Sequence, residues 1–255
     1  MANKRGLLLY LCVISLLISC ETLHRTKSPA YNPPKAKYDI SLIAIDRSGG
    51  NTELQGKQEI KTVVEQGVAR YSFEDKMVKM IWRGAPIDIV FTVHNKADQS
   101  LKIIWDDTRF IDEKGISHRL NHSGIGYEER NLSQPPTIVA TRGNLEDFLH
   151  PADYFQWEPI GSSTSDKQDG YWDRAPFLPT QIKGTAEELR TKSDPAIGKT
   201  FQVILPLEIN NVRIDYLCTF RINKVEVTEN REKNEKMEKN LSETKEQKKQ
   251  KKRPF

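Results

Sequence analysis

Thiols are almost missing from this chain: of 255 residues only Cys12, Cys20 and Cys218 are cysteines. The first two belong to an N-terminal apolar run, so Cys218 stands alone in the rest of the chain. One thiol cannot build a disulfide framework or a cysteine metal site. Small domains outside the cytoplasm often depend on disulfide staples, so this one must be held by its core. Long apolar runs are also missing: the only one, in residues 7–18, falls short of the ~20 residues that cross a bilayer as a helix. No glycine-rich phosphate loop, nucleophile elbow or HExxH motif occurs. The acidic stretches DDT and DEKG lack the alternating oxygen ligands of a calcium loop. Excess charge is missing from most of the chain as well. The net charge is +4, and residues 228–255 alone hold ten Lys and Arg against six Glu. What precedes them is near neutral, so no basic face for nucleic acid is implied.

What is present begins with a targeting signal. Lys4 and Arg5 precede the apolar stretch, which closes on Leu17-Ile18-Ser19-Cys20 before polar Glu21-Thr22. Residues 1–19 read as a secretory signal. Their last positions resemble the bacterial lipobox, in which a small residue precedes a cysteine that is acylated and becomes the mature N-terminus. The resemblance implies Cys20 as the anchor, and acyl chains contribute ~0.8 kcal/mol per buried methylene to membrane binding. An ordinary secretion signal with an incidental thiol is the alternative. Residues 20–37 hold Pro29, Pro33 and Pro34 and little that is apolar, and read as an extended tether.

Residues 38–227 carry strand signals. Tyr38, Ile40, Leu42 and Ala44 alternate with polar positions, and residues 68–73 and 77–82 read as strands around Glu74-Asp75-Lys76. In residues 86–94, Ile87, Ile89, Phe91 and Val93 mark one buried face. Residues 108–111 and 116–120 flank a glycine-ended turn, Asp112-Glu113-Lys114-Gly115. Residues 121–142 read as an irregular crossover, 145–149 as one helical turn before Pro151, and 185–190 as a short helix. The polar insertion at 161–170 reads as a loop, and residues 51–66 are ambiguous.

The closing segment is the most explicit. Phe201, Val203, Leu205, Leu207 and Ile209 share one face, and Val212, Ile214, Tyr216, Cys218, Phe220 and Ile222 another. A two-residue turn at Asn210-Asn211 places 209 opposite 212, 207 opposite 214, 205 opposite 216 and 203 opposite 218. A slip of one residue would expose a whole set. Pro206, opposite Asp215, then lacks an N–H on the outer side, which predicts an edge or a break in the strand's other ladder.

Many short strands with Gly and Pro turns predict an all-β sandwich. The stretches WDDTRFIDEKGISHRLNHSG, QPPTIV, GKTFQVILPLEI and YLCTFRI resemble a family of uncharacterised bacterial envelope lipoproteins. That resemblance implies an anchored immunoglobulin-like β-sandwich and brings no catalytic residues. Residues 228–255 read as a disordered or partly helical charged tail: Glu229/Lys233, Glu232/Lys236 and Glu235/Lys239 are helix-favouring pairs, with little to bury.

Candidate chemistry is sparse. His118 and His122 on one strand would stand roughly 13 Å apart at ~3.3 Å per residue, too far for one ion, and read as ordinary polar or surface side chains, as do His94 and His150. Asp106-Asp107 and Asp112-Glu113 are adjacent acids, which on a strand face opposite ways. Tyr154, Phe155, Trp157, Tyr171 and Trp172 either line a recognition surface or clamp loops and core. Residues 245–253 either contact anionic lipid or an anionic envelope polymer or only solubilise. The expectation is a membrane-anchored, non-catalytic binding or structural module on the extracytoplasmic side of the inner or outer membrane, with no cofactor. An envelope enzyme with an unrecognised site in the β domain is the alternative.

Overall fold

The computed structural model describes residues 33–49, 59–65, 67–160 and 169–228. Cys20, most of the tether, the insertion at 161–168 and the tail from 229 lie outside the described residues. The described residues hold fourteen strands: β1 (Lys35–Ser48), β2 (Glu59–Glu65), β3 (Val68–Glu74), β4 (Val78–Gly84), β5 (Ile89–Asn95), β6 (Leu101–Ile103), β7 (Arg109–Ile111), β8 (Ser117–His122), β9 (Thr137–Val139), β10 (Asn144–Pro151), β11 (Phe155–Pro159), β12 (Gly170–Arg174), β13 (Thr200–Ile209) and β14 (Val212–Thr228). Among the described residues one α-helix, α1 (Ala186–Ser193), precedes β13. The all-β expectation holds.

Twelve strands form one antiparallel sheet in the order β1-β14-β13-β7-β8-β10-β5-β4-β3-β2, with β6 beside β13 and β9 beside β6. The sheet curls until it is nearly closed and barrel-like, bringing β1 against β4 and β3. Alternation explains the curl: each strand has one apolar face, and bending the sheet puts all these faces on one core. Ile89, Phe91 and Val93 of β5 are buried while the residues between them are only partly covered. Trp82 of β4 stacks on Phe91 at 5.1 Å and meets Phe220 of β14 edge-on at 5.8 Å. Phe73 of β3 meets Tyr216 of β14 at 5.9 Å. Such pairs contribute ~0.5–1.5 kcal/mol beyond their burial.

The β13–β14 hairpin has the expected register, with Ile209 opposite Val212, Leu207 opposite Ile214, Leu205 opposite Tyr216 and Val203 opposite Cys218. Asn210 and Asn211 have φ of 53° and 60°, the left-handed pair that a two-residue turn of matching twist requires. On its other side β13 pairs β7 through Ile204 and β6 from Leu207 onward. The ladder is therefore broken at Leu205-Pro206, where Pro206 has no N–H to give. A 3-10 turn, Trp105–Asp107, follows β6, and the Ile104 N–H beside it donates to the Pro206 carbonyl at 3.1 Å.

Asp75 fastens the curl. Its buried carboxylate accepts from the Met77 and Val78 N–H groups, from Arg47 of β1 at 2.9 Å and from the Tyr216 hydroxyl at 3.1 Å. The turn between β3 and β4 is thus tied to both β1 and β14.

Several expectations need correction. Residues 145–149 are not a helical turn: they lie within β10, all paired to β5, and Leu149 is paired to His122 of β8 as well. Pairing along the whole stretch outweighs a weak local preference. Strand β1 starts at Lys35, so Lys35, Ala36 and Lys37, read as tether, pair with Thr228, Val227 and Glu226. Ala44 does not continue the buried face, because an irregularity between Leu42 and Ala44 turns Ile45 inward. Ile87 lies outside β5 and is exposed. The crossover contains a short strand, β9. Helix α1 starts behind Thr185, whose hydroxyl accepts from the Glu188 N–H while the Glu188 carboxylate accepts from the Thr185 N–H, the capping box that T-x-x-E encodes.

Candidate functional site

Strands β11 and β12 leave the large sheet and pair only with each other. Their register places Phe155 opposite Arg174, Trp157 opposite Trp172 and Pro159 opposite Gly170 on one face, and Gln156 opposite Asp173 and Glu158 opposite Tyr171 on the other. Trp157, Tyr171 and Trp172 are 45%, 54% and 40% exposed. Ile160, just past β11, is exposed too. A two-stranded ribbon has no second layer to bury both of its faces, so such side chains meet water unless a partner covers them.

The first face is partly occupied. Trp172 stacks on Tyr127 at 4.0 Å and meets Trp157 edge-on at 5.6 Å. The guanidinium of Arg130 lies 3.6 Å from the centre of the Tyr127 ring. Tyr127 also meets Phe155 at 5.6 Å. The indole of Trp157 lies over Gly170, where an added Cβ would come within 2.5 Å of the ring. The tryptophans thus clamp the crossover segment to the ribbon and remain half open to solvent. Tyr127 and Arg130 were not among the sequence candidates: they sit in an irregular segment with no periodicity to announce a face.

The ribbon is rooted through His150 and Asp88. His150, buried in β10, lies 2.9 Å from the Ile87 carbonyl through Nδ1 and 2.5 Å from the Tyr154 carbonyl through Nε2. Asp88 accepts from Arg174 at 2.6 Å, and Arg174 covers the Phe148 ring. Tyr154 is half-buried at this root, meeting His118 at 5.5 Å and Phe177 at 6.5 Å; burial and then the nearby Asp112, Glu113 and Asp153 push its phenol up. The five sequence candidates therefore separate: Tyr154 belongs to the root, Phe155, Trp157 and Trp172 to the clamped face, with Phe155 also meeting His150 of the root at 5.2 Å, and Tyr171 to the opposite face.

The remaining candidates are held apart. His118 bonds Asp153 at 2.9 Å and approaches Asp112 at 3.5 Å, whereas His122 approaches Asp147 at 3.4 Å and stacks on Trp105 at 4.3 Å. His94 bonds the Asn144 side chain at 2.5 Å, beside an open cleft of about 420 Å³ on the outer sheet face, lined also by Lys79, Thr92 and Glu146. The acids are anchors. Asp106 is held below the ordinary carboxylate range by the Ser133 hydroxyl and the Gln134 N–H, and Arg119 adds to this against some desolvation. Asp107 pairs with Arg213. Asp112 accepts from the Lys114 and Ile116 N–H groups in the turn that Gly115 closes at φ 81°. Among the described residues no cluster of three or more His, Cys, Asp and Glu side chains is arranged to hold a metal ion. Cys20 and residues 245–253 lie outside the described residues.

Compared with protein-family models, curated proteins and solved structures, the chain matches none.

Proposed function

We propose that this chain is a lipid-anchored, non-catalytic binding or structural module of a bacterial cell envelope, with Cys20 as its acylated anchor and the β11–β12 ribbon as its contact surface. The observation that carries the binding role is the ribbon: two strands outside the twelve-stranded sheet, bearing half-exposed Trp157, Trp172 and Tyr171. Aromatic side chains of this kind are enriched at energetic hot spots. The anchor is supported by the apolar run that ends on Ser19-Cys20, and the class by resemblance to envelope lipoproteins. The immunoglobulin-like description rests on that same resemblance, while the observed strands form one nearly closed, barrel-like sheet around one core. Residues 245–253 supply a second, electrostatic contact to anionic envelope polymer or lipid.

Two measurements test the anchor and the surface separately. Cys20→Ser abolishes metabolic acyl labelling; label persisting in that variant overturns the lipoprotein assignment. Cross-linking in intact envelopes captures a partner that is lost in Tyr171→Ala, a change at an exposed site that leaves the melting temperature unchanged. Identical cross-links in both proteins overturn the ribbon as the contact surface.

A further inference from the structure

The outward face of the ribbon differs from its clamped face in chemistry, and the difference points to the kind of partner. We infer that this face docks a lysine- or arginine-bearing segment of a partner protein, the cation lying over Tyr171 between the carboxylates of Glu158 and Asp173. The inference rests on the ribbon being the contact surface.

Register sets the geometry. Glu158 is directly opposite Tyr171, and Gln156 directly opposite Asp173. Opposed side chains have Cβ atoms ~4.5–5.5 Å apart, so one phenol ring and two carboxylates stand within reach of a single cation. Neither carboxylate meets a cation among the described residues. Glu158 accepts from the Gln156 side-chain amide at 2.7 Å, and Asp173 from the Arg174 N–H at 2.8 Å. Arg174, the only cation within β11 and β12, points to the other face, where it is bonded to Asp88. Exposed Asp169 adjoins β12 and adds a third acid. A body that is near neutral once residues 228–255 are set aside thus carries a local cluster of acids on its exposed aromatic ribbon. Charge complementarity selects a cationic partner. The open ring selects an organic ammonium or guanidinium, which a π face attracts.

The test titrates the full-length protein in detergent micelles with decalysine, following the fluorescence of the nearby tryptophans. Decaglutamate and a neutral chitin hexasaccharide are the comparison probes. Decalysine binds and weakens with added salt, and Glu158→Gln/Asp173→Asn weakens it roughly tenfold, as expected for two partly exposed ion pairs. Tyr171→Phe retains the ring and the affinity, and Tyr171→Ala loses affinity. Unchanged decalysine affinity in the double variant, decaglutamate binding that Tyr171→Ala abolishes, or hexasaccharide binding indifferent to both acids overturns the inference; decaglutamate held by residues 245–253 is insensitive to Tyr171→Ala. The envelope cross-link separates the two failures. If Tyr171→Ala abolishes the cross-link while decalysine binding ignores Glu158 and Asp173, only the cationic partner is wrong. If the cross-link persists, the contact surface itself is wrong.

Discussion

Asp147 shows how a carboxylate survives inside this sheet. Burial pushes its pKa up, but His122, the Ser123 N–H and hydroxyl and the Phe148 N–H together outweigh burial and leave it below the ordinary value of 3.8. A carboxyl group held lower in the folded state stabilises the fold above its unfolded pKa, and that contribution is lost as pH falls through the folded value. Asp147→Asn is therefore expected to cost about 1–3 kcal/mol near neutral pH, the scale for hydrogen bonds to a charged group. The gap between variant and parent should narrow toward acid, where the parent is protonated too. Urea unfolding across pH 3–7 checks this, and a gap independent of pH would contradict it. Nothing in the order of residues marks Asp147 or its partner His122, because they are 25 positions apart and meet only when β10 lies beside β8. Asp75 is similar: its partners Arg47 and Tyr216 come from strands at one end of the sheet order. Cys218 is the opposite case. Its burial follows directly from its place on the apolar face of β14, and desolvation raises its thiol well above the usual value.

At the level of elements, legibility follows periodicity. The β13–β14 hairpin could be read to the residue because long alternation and an Asn-Asn turn agree on one register. Asn210 and Asn211 both occupy the left-handed region, where a β-branched side chain is strained. Asn210→Val should destabilise the protein by about 1–2 kcal/mol, lowering the urea midpoint without changing the slope, whereas Asn210→Gly should be nearly neutral. Equal midpoints for all three proteins would show that the turn contributes little. The broken ladder predicted at Pro206 has the same origin, since a missing N–H is a property of the residue itself. Strand β10 was misread for the converse reason. Its inward set Leu145, Asp147 and Leu149 includes a charge, which hides the alternation, so the pairing partners decide its conformation.

For the whole molecule the decisive contact is where the curled sheet meets itself. Gly84 of β4 faces Ile40 of β1, and a Cβ at Gly84 would stand 2.7 Å from the Ile40 Cγ2 and 3.5 Å from Phe220. Gly84→Ala should force β1 away from β4 and cost about 1–3 kcal/mol, the usual range for overpacking. Hydrogen exchange should show β1 amides losing protection before those of β5. Unchanged stability would mean that the seam has room to spare. The ribbon is a whole-molecule feature as well, because Tyr127 reaches Trp172 across 45 positions and only the assembled fold makes one surface of them.

The order of residues by itself determined the strand class, the hairpin register, the ladder break at Pro206, the glycine-closed turn after Asp112 and the burial of Cys218. Each depends on a period of two or on the conformational limits of Asn, Gly or Pro, which are local properties. Tertiary structure alone decided that twelve strands share one nearly closed sheet, that residues 145–149 are strand and that His118 and His122 turn to different carboxylates. It also decided that Trp157 and Trp172 lie on one face of the ribbon and Tyr171 on the other. Strand pairing between distant segments is selected by the summed burial of many side chains and by completed hydrogen bonds, and no window of neighbouring residues contains those partners.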